Sequence, residues 1–323
     1  MPDQIPLIDA RGIVKLFRGQ QGFGPSRKRV VRAVDGADLN IAERETVGLV
    51  GESGCGKTTL GRCLLLLTPP DAGHILLRGQ DPSTFTRRQL LGARRVIQAI
   101  FQDPLASLNP RQRIGDIIAE PLAIHNLGGP GHRRSRVLEL LELTGLPSDF
   151  AARYPHELSG GQRQRVCIAR ALAVQPAFIV ADEPLSALDV SVQAHIIRLF
   201  LDLHERFGLA FLFISHDLSA VRYLAQRVAV MYAGQIVEHG PTAAVFAAPR
   251  HPYTRALIAS VPTGSKADGP REMLGGEPPS PANWPAGCRF HPRCPAVNPA
   301  ICARSLPVLA ERAPRWCVAC HLA

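Results

Sequence analysis

Residues 51–58 read Gly51, Glu52, Ser53, Gly54, Cys55, Gly56, Lys57 and Thr58, the spacing Gly-x4-Gly-Lys-Thr. Glycines at such spacing let successive backbone N–H groups turn toward one anion, and a helix opening at the lysine adds its positive dipole end. Lys57 would reach the β- and γ-phosphates of a nucleotide, Thr58 would place its hydroxyl on Mg²⁺, and Thr59 completes the expected ATP-binding run. The apolar run Phe178–Ala181 ends in Asp182 and Glu183. A carboxylate at a strand tip can hold the magnesium shell, which fits Asp182; the next can polarise an attacking water, which fits Glu183. Leu158, Ser159, Gly160, Gly161 and Gln162 precede a helical pattern over 162–173. A serine cap and a double-glycine turn explain the local structure there, though not its coincidence with the other motifs. Five of the eight cysteines (Cys288, Cys294, Cys302, Cys317 and Cys320) crowd into the last 36 residues. With no basic leader before them, they read as a metal or iron–sulfur site before a disulfide framework. Cys55 lies among N–H groups near a helix start, so a lowered thiol pKa and raised reactivity are expected.

Short apolar runs bounded by Gly, Pro and Asp supply the strands that must hold these residues: 46–50, 96–101, 178–181, 209–214 and 228–231. Runs this short suit buried parallel strands. A helix is expected over 60–67, and Val192, Ile196, Leu199, Phe200 and Leu203 share one face of another. The pattern is α/β with a mainly parallel core sheet. The 55 residues between Gln102 and Leu158 read as all-helical, with stripes at Ile114, Ile117, Ile118 and Leu122 and at Val137, Leu138 and Leu141. Residues 262–287 are rich in proline and glycine and read as a linker. The expected organisation is a domain over 1–261 with a helical subdomain at about 103–160, the linker 262–287, and a Cys-rich region 288–323.

The chain has 323 residues, 46% of them hydrophobic, which excludes a disordered chain and predicts a sizeable core. No apolar run approaches the roughly 20 residues that span a bilayer, and the first residues carry no basic leader, so a soluble protein is expected. The net charge is +10 and nearly all of the positive charge is arginine. That balance is compatible with nucleic acid, an anionic membrane surface, a phosphate ligand or mere base composition, and does not choose among them.

The string LSGGQ at 158–162, together with the loop at 51–58 and the acids at 182–183, resembles the ATP-binding-cassette (ABC) ATPases. The resemblance implies a P-loop NTPase core sheet with an antiparallel N-terminal β part and a helical insertion. It further implies that Ser159, Gly160, Gly161 and Gln162 face the γ-phosphate of ATP held by a second nucleotide-binding domain. Gln102, in FQDP, resembles the glutamine that senses magnesium and links to the transmembrane partner. The segment 186–189, ending in Asp189, resembles the loop that crosses the dimer interface. His216, in FISHD, resembles the histidine that contacts the γ-phosphate. Phe17 aligns with the aromatic that stacks on adenine, and Phe23 lies close enough to compete with it.

GESGCGKTTLGR, FQDPLASLNPR, ADEPLSALDVSVQAHI and HPYTRAL are similar to the oligopeptide and dipeptide importer branch, in particular to its second ATPase subunit. That similarity implies ATP and Mg²⁺ as cofactors, two integral-membrane permeases, a second ATPase (paralogue or self) and indirectly a solute-binding protein. It implies a peripheral position on the cytoplasmic face of the inner membrane, and no nucleic acid partner. In GCRFHPRCP and ACHLA the tail resembles a region where some members hold a four-iron four-sulfur cluster, on Cys288, Cys294, Cys302 and Cys320, with Cys317 as an alternative ligand. Zinc, or thiols with no metal, remains open. The basic insertion 18–29 reads as a solvated loop or a contact with lipid head groups. Nickel or glutathione importers share the branch. A soluble relative acting on ribosomes or DNA is disfavoured, because only 55 residues separate Gln102 from Leu158 and the chain holds one cassette.

Overall fold

A computed structural model describes residues 5–19, 29–261 and 275–323. Most of the basic insertion, Phe23, and the first half of the expected linker lie outside the described residues. The strands are β1 (Ile8–Gly19), β2 (Arg29–Ile41), β3 (Thr46–Val50), β4 (Ala72–Leu77), β5 (Ile97–Ile100) and β6 (Phe178–Asp182). They continue with β7 (Ala210–Ile214), β8 (Arg227–Tyr232), β9 (Gln235–Pro241), β10 (Ala310–Ala313) and β11 (Trp316–Val318). Two compact units emerge from the internal contacts. One comprises Met1–Leu7, Ile41–Glu45 and Leu77–Ile214, the other Ile8–Asn40, Thr46–Leu76 and Ser215–Ala323.

In the first unit β5, β6 and β7 pair in parallel, with β6 in the middle. Strands β6 and β7 are buried at every position, as strands covered on both faces must be. Their register sets Asp182 beside Ile214, which places the first of the paired acids at the carboxyl end of β6. The helix Val190–Phe207 buries Ile196, Leu199, Phe200 and Leu203. Phe200 meets Phe211 and Phe213 edge-on, at centroid distances of 5.5 and 5.7 Å. Those two rings share a face of β7 because strand side chains alternate.

The stretch after Gln102 is helical as expected, with helices Pro104–Ser107, Ile114–Ile124 and Pro130–Leu143 and two 3₁₀ turns. Ile114, Ile117, Ile118 and Leu122 form the buried stripe of the second. In the third, the buried set is Val137, Leu140 and Leu141, while Leu138 is 40% exposed. Positions 137, 140 and 141 are one turn apart on one face; position 138 is rotated by about 100° from 137 and turns outward.

In the second unit β3 pairs in parallel with β8, and β8, β9, β11 and β10 follow as antiparallel neighbours. A separate three-stranded sheet has the order β2-β1-β4. The helix Leu218–Leu224 lies so close on β3 that a Cβ on Gly48 would stand 2.4 Å from Val221 Cγ1. The helix after the phosphate loop spans Lys57–Leu64, starting earlier than its apolar run and stopping before Leu66, which adopts φ +56°.

Residues 275–287 contain no helix or strand, in keeping with their prolines and glycines. The Cys-rich tail then adds β11 to the edge of β9, Cys317 opposite His239 and Val318 opposite Glu238. Phe290 packs on Tyr232, Tyr253 and His251 at 5.3–5.7 Å. Glu238, with no exposed surface, accepts from Trp316 Nε1 at 2.9 Å and from the N–H groups of Arg250 and His251. A buried carboxylate satisfied three times is what such a docking needs.

Candidate functional site

The phosphate loop runs from β3 into the helix Lys57–Leu64. Gly51 and Gly56 carry φ +152° and +110°, and a Cβ on either would strike a carbonyl oxygen, Met231 O at 2.1 Å or Ala33 O at 2.2 Å. Both conformation and space therefore demand glycine. Lys57 is buried and its Nζ donates to Gly51 O (2.8 Å) and Glu52 O (2.9 Å), folding the loop around its own ammonium. Ser53 and Gly54 are exposed at the loop tip. Thr58 and Thr59, at the helix start, are half-buried.

Cys55 is buried, and burial pushes its thiol pKa up, against the smaller opposing pull of Lys57. The expectation of an activated thiol is therefore wrong: desolvation of the thiolate outweighs the nearby cation.

His216 is exposed in the turn between β7 and the helix Leu218–Leu224. The turn is set by Asp217, whose N–H donates to Ser215 Oγ (2.9 Å) and whose carboxylate caps the helix at Ser219 N and Ala220 N. Phe17 is 46% exposed on β1, with Lys15 Nζ 6.0 Å from its ring centre. The second unit thus carries the loop, His216 and Phe17.

The first unit carries the rest. Asp182 is buried at the end of β6. Glu183 follows with φ +48°, a left-handed conformation that side chains other than glycine rarely adopt. Its N–H donates to Ile214 O (2.9 Å), and Gln102 Nε2 donates to its Oε2 (3.0 Å). The glutamine and the second acid, 81 positions apart, are therefore direct partners. Strain held in place by such bonds is common where a side chain must be aimed.

Ser159 caps the helix Gly160–Leu172 through a reciprocal capping box with Gln162. Gly161 passes so near the helix Val190–Phe207 that a Cβ would meet Val192 Cγ1 at 2.5 Å. Asp189 stands at the N-terminus of that helix, exposed, and its side chain makes no capping bond there. Gln193 Nε2 donates instead to Leu185 O and Leu188 O and fixes the preceding turn. Thr58, Gln102 and Asp182 offer hydroxyl, amide and carboxylate oxygens, the donors a hard cation such as Mg²⁺ takes.

Residues 34–186 match the family "ABC transporter", and 237–302 match "Oligopeptide/dipeptide transporter, C-terminal region". The oligopeptide transport ATP-binding protein AppF of Bacillus subtilis (strain 168) is 48% identical over 99% of this chain and 98% of its own length. The chain belongs to the ABC transporter ATPases. Among solved structures, the ATP-binding cassette MJ0796, dimeric in a post-hydrolysis state with ADP and Pi, is 30% identical. It covers 73% of this chain and 98% of its own, with TM-score 0.64. The cassette cbiO1 from Clostridium perfringens, part of the cbiONQ transporter complex, is 26% identical over 75% of this chain and 91% of its own, with TM-score 0.63.

In this ABC transporter ATPase four of the tail thiols interact electrostatically with one another. Burial raises the pKa of Cys288 and Cys294, and thiolate charge on Cys302 and Cys320 adds to the rise at both. Burial also raises the pKa of Cys317, with Glu311 adding to the rise and Arg227 opposing it. Yet among the described residues no three His, Cys, Asp or Glu side chains are grouped to hold a metal ion. The expected iron–sulfur ligand set on Cys288, Cys294, Cys302 and Cys320, with Cys317 as alternative, is therefore not supported as a metal-binding group among the described residues.

Two contacts to the phosphate loop escaped the sequence reading. Tyr253 Oη accepts from Glu52 N–H at 2.8 Å, and Arg293 grips the Glu52 carboxylate with both of its terminal nitrogens. Tyr253 sits inside the HPYTRAL string, which was a legible signal; Arg293 had none beyond its place between the cysteines.

Proposed function

We propose that this ATPase powers import of di- or oligopeptides through a membrane ABC transporter. The observation that carries the reading is likeness to an oligopeptide transport ATP-binding protein over nearly the full length of both chains, together with the transporter C-terminal region at 237–302. In this reading Gly51–Thr59 cradles the triphosphate, Lys57 neutralises it, and Phe17 stacks on adenine. Thr58, Gln102 and Asp182 would hold Mg²⁺, which screens charge on the phosphates when bound. Glu183 takes the proton of the attacking water, held in position by Gln102, while His216 contacts the γ-phosphate. Ser159, Gly160, Gly161 and Gln162, with Asp189, serve the nucleotide of a second ATPase subunit, self or paralogue. Two integral-membrane permeases and, through them, a solute-binding protein complete the assembly, with this chain peripheral on the cytoplasmic face. A four-iron four-sulfur cluster is not part of the reading.

The test is reconstitution of the chain with its permeases and partner ATPase in vesicles. Uptake of labelled di- and oligopeptides that needs external binding protein and internal MgATP is expected. Uptake of nickel chelates or glutathione but not peptides would replace the substrate. DNA affinity that falls steeply with salt, with no association with the permeases, would overturn the reading.

A further inference from the structure

The phosphate loop of this chain has an acid at its second position. Glu52 lies one residue after Gly51, in the loop proposed to cradle the triphosphate. An unpaired carboxylate there would repel the phosphates that the loop must hold. The structure pairs it. Arg293 Nη1 lies 2.7 Å from Glu52 Oε2 and Nη2 lies 3.0 Å from Oε1, a two-pronged fork. Two further donors of the guanidinium are also engaged: Nε donates to Gly275 O at 3.0 Å, and Nη1 reaches Tyr232 Oη at 3.4 Å. The Arg293 side chain is 6% exposed and that of Glu52 is 24% exposed, so solvent screens the pair only in part. The acid beside it holds Arg293 above its ordinary pKa, in keeping with an ionised pair.

Backbone and side chain of Glu52 are thus both held by residues far along the chain, Tyr253 and Arg293. None of the cassette motifs contains either residue.

We propose that Arg293, from the Cys-rich tail, is a positioning residue for the phosphate loop: it neutralises Glu52 and fixes its side chain away from the bound triphosphate. The tail thereby contributes to nucleotide affinity without touching nucleotide. The inference rests on the ATPase reading, and the experiment separates the two.

MgATP affinity and steady-state ATPase are measured on the full chain, with thermal melting recorded for each protein. Arg293→Ala is expected to raise the MgATP Kd and KM by about three- to tenfold, the worth of a partly screened charge-assisted fork, with kcat changed less. Adding Glu52→Gln to Arg293→Ala is expected to restore most of the affinity, because the stranded carboxylate causes the loss. Arg293→Lys, which keeps the charge but loses the fork, is expected to fall between wild type and Arg293→Ala. If Arg293→Ala does not fold, Arg293→Lys and the double variant carry the test. Wild-type affinity in Arg293→Lys and Arg293→Ala, or a loss that Glu52→Gln fails to restore, overturns the inference. A wild-type chain that neither binds nor hydrolyses MgATP overturns the ATPase reading instead.

Discussion

Glu183 is held both by its own backbone and by a distant neighbour. The backbone at φ +48° and the bond from Gln102 Nε2 fix where its carboxylate lies. If Glu183 is the base proposed above, Glu183→Gln keeps the shape and removes it, so turnover should fall about 10²–10⁴-fold while MgATP binding persists. Single-turnover phosphate release alongside nucleotide binding checks this, and near-wild-type hydrolysis would remove Glu183 from the base role. Cys55 illustrates the opposite lesson, that a suggestive neighbourhood does not make a reactive thiol. Its burial raises the pKa, and Cys63 and Cys167 are likewise pushed up to about 11. These three thiols should label slowly with iodoacetamide at neutral pH in the native protein. Peptide mapping after a short exposure reads the order; modification of Cys55 ahead of the tail cysteines would contradict it.

At the scale of elements, the join between β9, β11 and the helix Pro252–Ala259 contains two histidines held neutral. His251 is buried, and its Nδ1 accepts the Tyr253 N–H at 3.0 Å, a bond that protonation at that nitrogen would break. Burial lowers its pKa to about 3, and burial followed by the nearby Arg227 lowers that of His239, on β9, to about 4. Between their ordinary value, about 6.5, and these lowered values, the unfolded chain binds more protons than the folded one. Stability is therefore full above pH 6.5 and lost as the pH falls toward 4. The slope should approach about 1.4 kcal/mol per pH unit for each histidine. Urea unfolding at pH 7, 6 and 5 measures it, and His251→Gln should show the shallower dependence. An unfolding free energy constant from pH 7 to pH 5 would show that these side chains do not titrate with folding.

The whole molecule raises the question of what completes it. Ser159, Gly160 and Asp189 are exposed, and Val190, next to the last, is 82% exposed. A helix start that offers N–H groups, bare of acidic side chains in its first turn, is equipped for an anion. If that anion is nucleotide held by another subunit, specific ATPase activity must fall on dilution and rise when the paralogue or more of the same chain is added. A dilution series with phosphate release as readout tests it. Constant specific activity in a preparation that is monomeric throughout would show that one chain hydrolyses ATP alone.

Much of this was legible in the sequence because it depends on neighbours along the chain. A strand, a glycine loop and a helix start are local objects, and so are Asp182 and Glu183 at the end of β6 and the Ser159–Gln162 capping box. The stripe of Ile114, Ile117, Ile118 and Leu122 follows from helical period alone. Other features depended on what lay across space. Leu138 is apolar yet faces outward, because burial goes to whichever face meets a partner. The Cys55 thiol is governed by its dehydration, which no spacing reveals. The tail cysteines suggested a centre of their own, whereas β11 pairs with β9 and Phe290 packs among Tyr232, Tyr253 and His251. Gln102 meets Glu183 across 81 positions and Arg293 meets Glu52 across 241. Sequence fixes which groups can do chemistry, since composition and short spacing set donors, charges and local turns. Which of them are charged, buried or paired was decided only by tertiary structure, because desolvation and ion pairing depend on residues brought together from far apart in the chain.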